Sequence, residues 1–128
     1  MLYDIVWGGD PEDVLLTTRG RVSVGDLHEM IRAGLADSRF REGMKILIDH
    51  TQATWWSLSN EEILSRAELI RSDAERIGRQ RMAFVMGSNV DLGIGRMLQA
   101  YISDLSRIQF EVFGTAVEAR AWLKQQSA

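Results

Sequence analysis

Residues 44–59 read MKILIDHTQATWWSLS, and the fold turns on that stretch. Ile46, Leu47 and Ile48 form a short apolar run that ends in Asp49. A run without polar alternation suits a central strand buried on both faces. A loop carrying Trp55 and Trp56 follows. Ser59 with Glu62 then reads as a capping box that starts a helix. Open α/β sheets place their sites at the carboxyl ends of the strands, so a ligand or partner site is expected near this loop.

Upstream, Leu2 to Trp7 reads as a strand, Gly8-Gly9-Asp10-Pro11 as a turn and Val14 to Thr18 as a second strand, closed by Gly20. The short connection predicts an antiparallel hairpin. Ser23 caps a first helix in which Leu27, Met30, Ile31 and Leu35 recur at helical spacing, and Asp37 to Gly43 is a polar connection. Downstream, the second helix carries Ile63, Ala67, Ile70, Ala74 and Ile77 on one face and stops at Gly78. Arg81 to Met86 is a strand, and Gly87-Ser88-Asn89 is a loop. A third helix from about Asp91 to Leu105 buries Ile94, Met97, Leu98, Tyr101, Ile102 and Leu105. Ile108 to Phe113 is the last strand. Thr115 with Glu118 caps a last helix facing inward through Val117, Ala121 and Trp122, and the polar tail KQQSA is expected to fray. The order β-β-α-β-α-β-α-β-α predicts an α/β fold with a five-stranded, mixed, mostly parallel sheet and four helices in one domain over 1–128.

Composition bounds the function. The chain has 128 residues, a net charge of −3 and no cysteine. The charge gives no general attraction to nucleic acid. Without cysteine, disulfides, thiol catalysis and cysteine metal sites are excluded. No eighteen apolar residues run together, so no membrane-spanning helix is expected, and MLYDIVWGGDPED has no basic start or long apolar run of a signal peptide. A cytoplasmic location is the expectation.

Three segments, KILIDHTQATWWSLSNEEI, RMAFVMGSNVDLGIGRML and FEVFGTAVEARAWL, together with the order of elements, resemble the SpoIIAA-like or STAS fold family. The likeness is to the small stand-alone bacterial proteins related to STAS and CRAL-TRIO domains, and it covers nearly the whole chain. In the anti-sigma-factor antagonists of that fold the central strand ends in Asp-Ser-Ser-Gly, and phosphorylation of the second serine releases a partner. Here the matching stretch is Asp49-His50-Thr51-Gln52, which keeps the Asp and a hydroxyl two residues later and lacks the glycine. The resemblance implies a non-catalytic regulatory or protein-interaction module, with Thr51 at the phosphoacceptor position. Its CRAL-TRIO side implies the alternative, a small carrier or sensor of an apolar or anionic, lipid-like molecule in a pocket behind residues 50–59.

The candidate residues are weighed against plainer roles. Thr51 and Ser57 are hydroxyls near a helix start, and a turn hydroxyl bonded to local backbone is the plainer reading of Thr51. Adjacent Trp55 and Trp56 on an extended loop point in opposite directions, so one can pack inward while the other faces outward as an anchor for a partner or apolar ligand, or both can close the core over the end of the sheet. Ser88, Asn89, Gly93 and Gly95 lead into a helix whose N–H groups can hold an anion. Their spacing is neither a P-loop nor a dinucleotide fingerprint, and glycine for close helix–strand packing is the simpler reading. Arg96 can pair with Asp49 or Asp91, or meet an anionic ligand.

Acids at helix starts (Asp26, Glu61, Glu62, Asp91, Glu118) and arginines at or after helix ends (Arg39, Arg41, Arg76, Arg79, Arg81, Arg107) follow from the helix dipole without a partner. His28 reads as a surface residue and His50 follows the strand. Neither stands at a metal-ligand spacing, and adjacent His50 and Thr51 do not aim at each other. The expectation is no enzyme, no cofactor, no metal, and a protein partner or second copy.

Overall fold

The computed structural model describes residues 1–105 and 107–125. Its elements are β1 (Leu2–Trp7), β2 (Val14–Arg21), α1 (Val24–Ala36), β3 (Lys45–Thr54), α2 (Asn60–Ser72), α3 (Ala74–Ile77), β4 (Gln80–Met86), α4 (Asn89–Tyr101), β5 (Ile108–Phe113) and α5 (Ala116–Lys124). The sheet runs β1-β2-β3-β4-β5, so strand order follows chain order. β1 pairs antiparallel with β2, and the other three pairings are parallel. This is the expected mixed, mostly parallel sheet.

Because every crossover steps in the same direction, α1, α2 and α4 come to share one face. Ile46, Ile48, Met82, Phe84 and Met86 point into that face, against Leu27, Met30, Ile63, Ile70 and Leu98. The alternate residues Leu47, Ala83 and Val85 point the other way, against Ala119 and Leu123 of α5. Three helices on one face and one on the other explain why the central strands are apolar throughout, while β1 and β2 alternate.

Several boundaries differ from the sequence reading. β3 does not stop at Asp49 but runs to Thr54. Its pairing with β4 ends at His50, whereas Gln52, Ala53 and Thr54 continue on β2 past a register shift. The polar residues after Asp49 read as loop because only one neighbour strand accompanies them. The second helix is interrupted at Asp73, which caps α2 and precedes the single turn α3. α4 starts earlier than Asp91, because the Ser88 hydroxyl accepts the Asp91 N–H at 3.1 Å and is the N-cap. It ends at Tyr101, short of Leu105. In α5 the inward face is Ala119 and Leu123, with Trp122 half-buried. Val117 and Ala121 are exposed, since the sheet lies beneath the adjacent stripe of that helix. The tail reading falls largely on 126–128, outside the described residues.

Gly93 and Gly95 lie inside α4, not in a loop. A Cβ on Gly95 would stand 2.9 Å from the Val112 Cγ1, whereas one on Gly93 meets nothing within 4 Å. Gly95 therefore sets the approach of α4 to β5, and Gly93 carries only the entropic cost of a helical glycine. Gly93→Ala is expected to raise the unfolding free energy by about 0.5–1 kcal/mol, and Gly95→Ala to lower it by about 1–3 kcal/mol through overpacking. Urea unfolding of the two variants checks this, and shifts of the same sign would contradict the assignment.

Candidate functional site

The carboxyl end of the sheet is built from the last residues of β3, the 55–59 connection and the start of α4. Alternation along β3 sends Asp49 and Thr51 to the α5 side and His50 into the three-helix side. The Asp49 carboxylate accepts both the Thr51 N–H, at 2.8 Å, and the Thr51 hydroxyl, at 2.6 Å. Thr51 is exposed but held by that carboxylate. Its backbone also sets the next loop: a Cβ on Gly87 would lie 2.6 Å from the Thr51 carbonyl oxygen, so only glycine lets the β4–α4 connection pass.

Of the two arrangements open to the tryptophans, the structure has one inside and one outside. Trp55 is 0% exposed and Trp56 is 61% exposed. Trp55 packs edge-on to His50, with ring centroids 4.9 Å apart, and lies 6.3 Å from Phe84. Its backbone N–H donates to the buried Asp91 carboxylate at 3.2 Å. Asp91 sits in the first turn of α4, where the helix dipole favours its charge. One side chain thereby ties the loop after β3 to the start of α4. Ser57 is half-buried, and Ser88 and Asn89 are exposed.

His50 is enclosed. Its Nδ1 lies 2.6 Å from the Thr18 hydroxyl, and its ring stands edge-on to Phe84 at 5.2 Å. Burial, with the nearby Arg66 charge, pushes its pKa down to about 3, so the imidazole is neutral at physiological pH. Arg66 is 1% exposed, on the inner stripe of α2 with Ile63, Ala67 and Ile70. Burial lowers it to about 10 and the Asp73 carboxylate opposes the shift, so it stays charged. Asp73, buried at the α2–α3 break, has His28 Nδ1 at 3.6 Å and Arg32 Nη2 at 3.6 Å.

Sequence reasoning did not single out Arg66 or Asp73. Arg66 lies three residues after Ile63 and four before Ile70, and a charge on an apolar stripe was the available signal. His28, expected at the surface, is half-buried against Asp73.

The structure does not bring Arg96 to either proposed carboxylate. Arg96 is exposed on α4, Asp91 is turned inward to Trp55, and Asp49 lies on the opposite face of the sheet, where its charge is felt by Arg120. The Trp55 indole is itself enclosed behind the loop, against His50 and Phe84, where the carrier reading expected a pocket. An apolar cavity of about 40 Å³ lies instead toward the amino ends of the parallel strands, between α1 and the sheet. Among the described residues no three His, Cys, Asp or Glu side chains converge as metal ligands would. No helix there is long and apolar enough to cross a membrane.

No protein-family model and no curated protein matches the chain. Solved structures do match. One is the crystal structure of an uncharacterised protein of the DUF3478 family with a SpoIIAA-like fold, from Shewanella loihica PV-4. It aligns with a TM-score of 0.60 at 16% identity, over 94% of this chain and 93% of that one. The chain has a SpoIIAA-like fold.

The enclosed histidine has a measurable consequence. Its folded pKa lies below the ordinary 6.5, so the unfolded chain takes up the proton first as pH falls. The stability held by neutral His50 is complete above about pH 6.5 and is lost as pH drops toward 3, with a slope of at most about 1.4 kcal/mol per pH unit. His50→Asn, which keeps an acceptor near Thr18, is expected to flatten the slope between about pH 6.5 and 4.5, before most carboxylates titrate. Denaturant melts across that range check it, and an unchanged slope would contradict a neutral buried imidazole.

Proposed function

We propose that this protein is a non-catalytic regulatory interaction module whose working surface is the carboxyl rim of its sheet. The observation that carries the reading is the exposed Trp56 beside its fully buried neighbour. Trp55 fixes the loop from within, so Trp56 is presented on a rigid base. A large exposed aromatic held that way is the usual anchor of a protein interface. Val90, at 63% exposure, and Val117, at 80%, stand at the same end on the first turns of α4 and α5. Thr51, Gln52, Thr54, Ser88 and Asn89 supply exposed polar groups around them. An apolar centre with a polar rim is the anatomy of a protein–protein contact.

The non-catalytic reading is supported by the state of the groups that could do chemistry. His50 is neutral and enclosed with its Nδ1 on the Thr18 hydroxyl, and Asp91 is buried with one oxygen on the Trp55 N–H. Thr51 keeps the hydroxyl that the STAS resemblance calls for. A phosphate there would place a charge of about −1.5 to −2 against the Asp49 carboxylate that now accepts its proton. Modification would break that bond and alter the rim. The carrier reading loses its expected place, since Trp55 occupies the interior behind the loop.

A photo-crosslinking amino acid at position 56 tests the module. In cells it is expected to give one discrete adduct, while the same probe at exposed Glu29 on α1 gives none. An adduct of twice the chain mass identifies a second copy. Trp56→Ser is expected to change unfolding free energy by less than about 0.5 kcal/mol and to weaken the captured partner's binding by at least about tenfold. No adduct at 56, or the same adduct at both positions, overturns the proposal.

A further inference from the structure

The two outer strands of the sheet are finished differently. At β5 a side chain takes the outward backbone, since Gln99 Nε2 donates to the Phe110 carbonyl at 3.0 Å. β1 is paired with β2 on one side and has no strand on the other among the described residues. The Gly8 N–H donates to the Asp13 carbonyl at 2.9 Å, in the register that continues as Val6 opposite Leu15, Asp4 opposite Thr17 and Leu2 opposite Arg19. Backbone polar groups alternate in direction along a strand. Tyr3, Ile5 and Trp7 therefore point their N–H and C=O groups away from β2, out of the sheet's edge.

Exposed edges are ordinarily blunted by lysine, proline or a bulge. Leu2–Trp7 reads LYDIVW, without lysine or proline, and its register with β2 runs without a shift. Its one charge, Asp4, is held by Arg19 at 2.5 Å. On the outer face Leu2 is 72% exposed and Val6 56%. On the other face Tyr3, Ile5 and Trp7 are only half-buried against the three-helix core, and Ile5 and Trp7 line the apolar cavity of about 40 Å³. An unblunted edge with apolar side chains on both faces is a template for a further strand.

We propose that β1 pairs antiparallel with β1 of a second copy, about a two-fold axis through Ile5, so that two five-stranded sheets become one. The edge is self-complementary in this register. Ile5 lies opposite the partner's Ile5 and Tyr3 opposite the partner's Trp7, so each outward N–H of the three meets a carbonyl and each carbonyl an N–H. On the outer face Asp4 lies opposite the partner's Val6. Moving the axis to Asp4 would set Trp7 opposite the partner's Met1, outside the strand, and two Asp4 carboxylates directly opposite each other, which is unfavourable. An extended segment of another protein could match the backbone, but the copy also matches this symmetry. A two-fold contact closes on itself, so both β1 edges are consumed and assembly stops at the dimer. The pairing uses no residue of the Trp56 rim and is independent of that reading.

Sedimentation of the purified full chain over a dilution series is expected to show a species of twice 14.5 kDa that dissociates on dilution. Amide exchange followed by NMR locates the contact. The Tyr3, Ile5 and Trp7 N–H groups are expected to be protected in the dimer and to exchange at least about tenfold faster on dilution, while those of Asp4 and Val6, bonded to β2, stay protected. Val6→Asp sets a carboxylate opposite the partner's Asp4, twice over in the two-fold contact, and is expected to weaken the dimer at least about threefold. Val6→Lys sets an ammonium there and is expected to keep or tighten it. Both fall on an exposed side chain, so the monomer fold is kept. Trp56→Ser is expected to leave the dimer unchanged, which separates this contact from the rim. A monomer at every concentration, a species larger than a dimer, unprotected Tyr3, Ile5 and Trp7 amides in the dimer, equal weakening by Val6→Asp and Val6→Lys, or a dimer lost in Trp56→Ser would each overturn the assignment.

Discussion

The ring of Phe84 is the contact on which the rest of the interior depends. It stands edge-on to His50 at 5.2 Å and to Phe110 at 4.4 Å, and Trp55 lies 6.3 Å away. Four rings from β3, β4, β5 and the loop after β3 thus meet on one face of the sheet, in the offset and edge-on arrangements that aromatic quadrupoles favour. Such a cluster packs the interior beneath the carboxyl ends of the strands. At the sheet's carboxyl end the buried indole of Trp55 therefore faces inward, and the exposed side chains stand on the outside of the loop.

Close packing there shifts the looser space elsewhere. The three-helix face must accommodate a guanidinium, because Arg66 falls on the inner stripe of α2. Its partner carboxylate comes from the helix break at Asp73, which also faces α1 through His28 and Arg32. The buried arginine and the carboxylate share a stripe: residue 73 follows Arg66 by about two helical turns, so it stays on the inner side where α2 ends. Polar groups enclosed this way rigidify a core when satisfied and strain it when not. A void of about 10 Å³ lies on the apolar side of Arg66, where side chains have no polar contact to close against.

The fold was legible because its signals are local. β1 has the bounds its alternation predicted, Ser23 and Ser59 cap their helices, and Ser59 with Glu62 closes a complete capping box. Errors arose where tertiary partners overrode local pattern. The last residues of β3 look like loop, yet the Val22 N–H donates to the Thr54 carbonyl at 3.0 Å, as a ladder bond would. Asp91 looks like a cap and is instead the anchor of Trp55. At the site, the opposed tryptophans could be read from adjacency, but which faced out could not. That depends on Asp91 and Phe84, both more than 25 positions away in the chain. Arg96 failed for the same reason in reverse: the sequence shows a charge near two carboxylates, while the sheet stands between it and Asp49.

What holds the rim differs from what it displays. Past His50, β3 pairs only with β2, and its other side meets the β4–α4 connection backbone to backbone at Gly87. Position is therefore fixed by main-chain contacts, by the Gly87 clearance and by the buried indole of Trp55. The outward side chains of Thr51, Gln52, Thr54 and Trp56 contribute little to that framework, because three are polar and all are exposed. Surface positions of this kind change stability by fractions of a kcal/mol, so substitutions there leave the sheet undisturbed. Thr51 stands apart among them, since its hydroxyl is bonded to Asp49 on the same strand. Of these four it is the one whose side chain bonds back to the strand that carries it, and the same carboxylate also takes its backbone N–H.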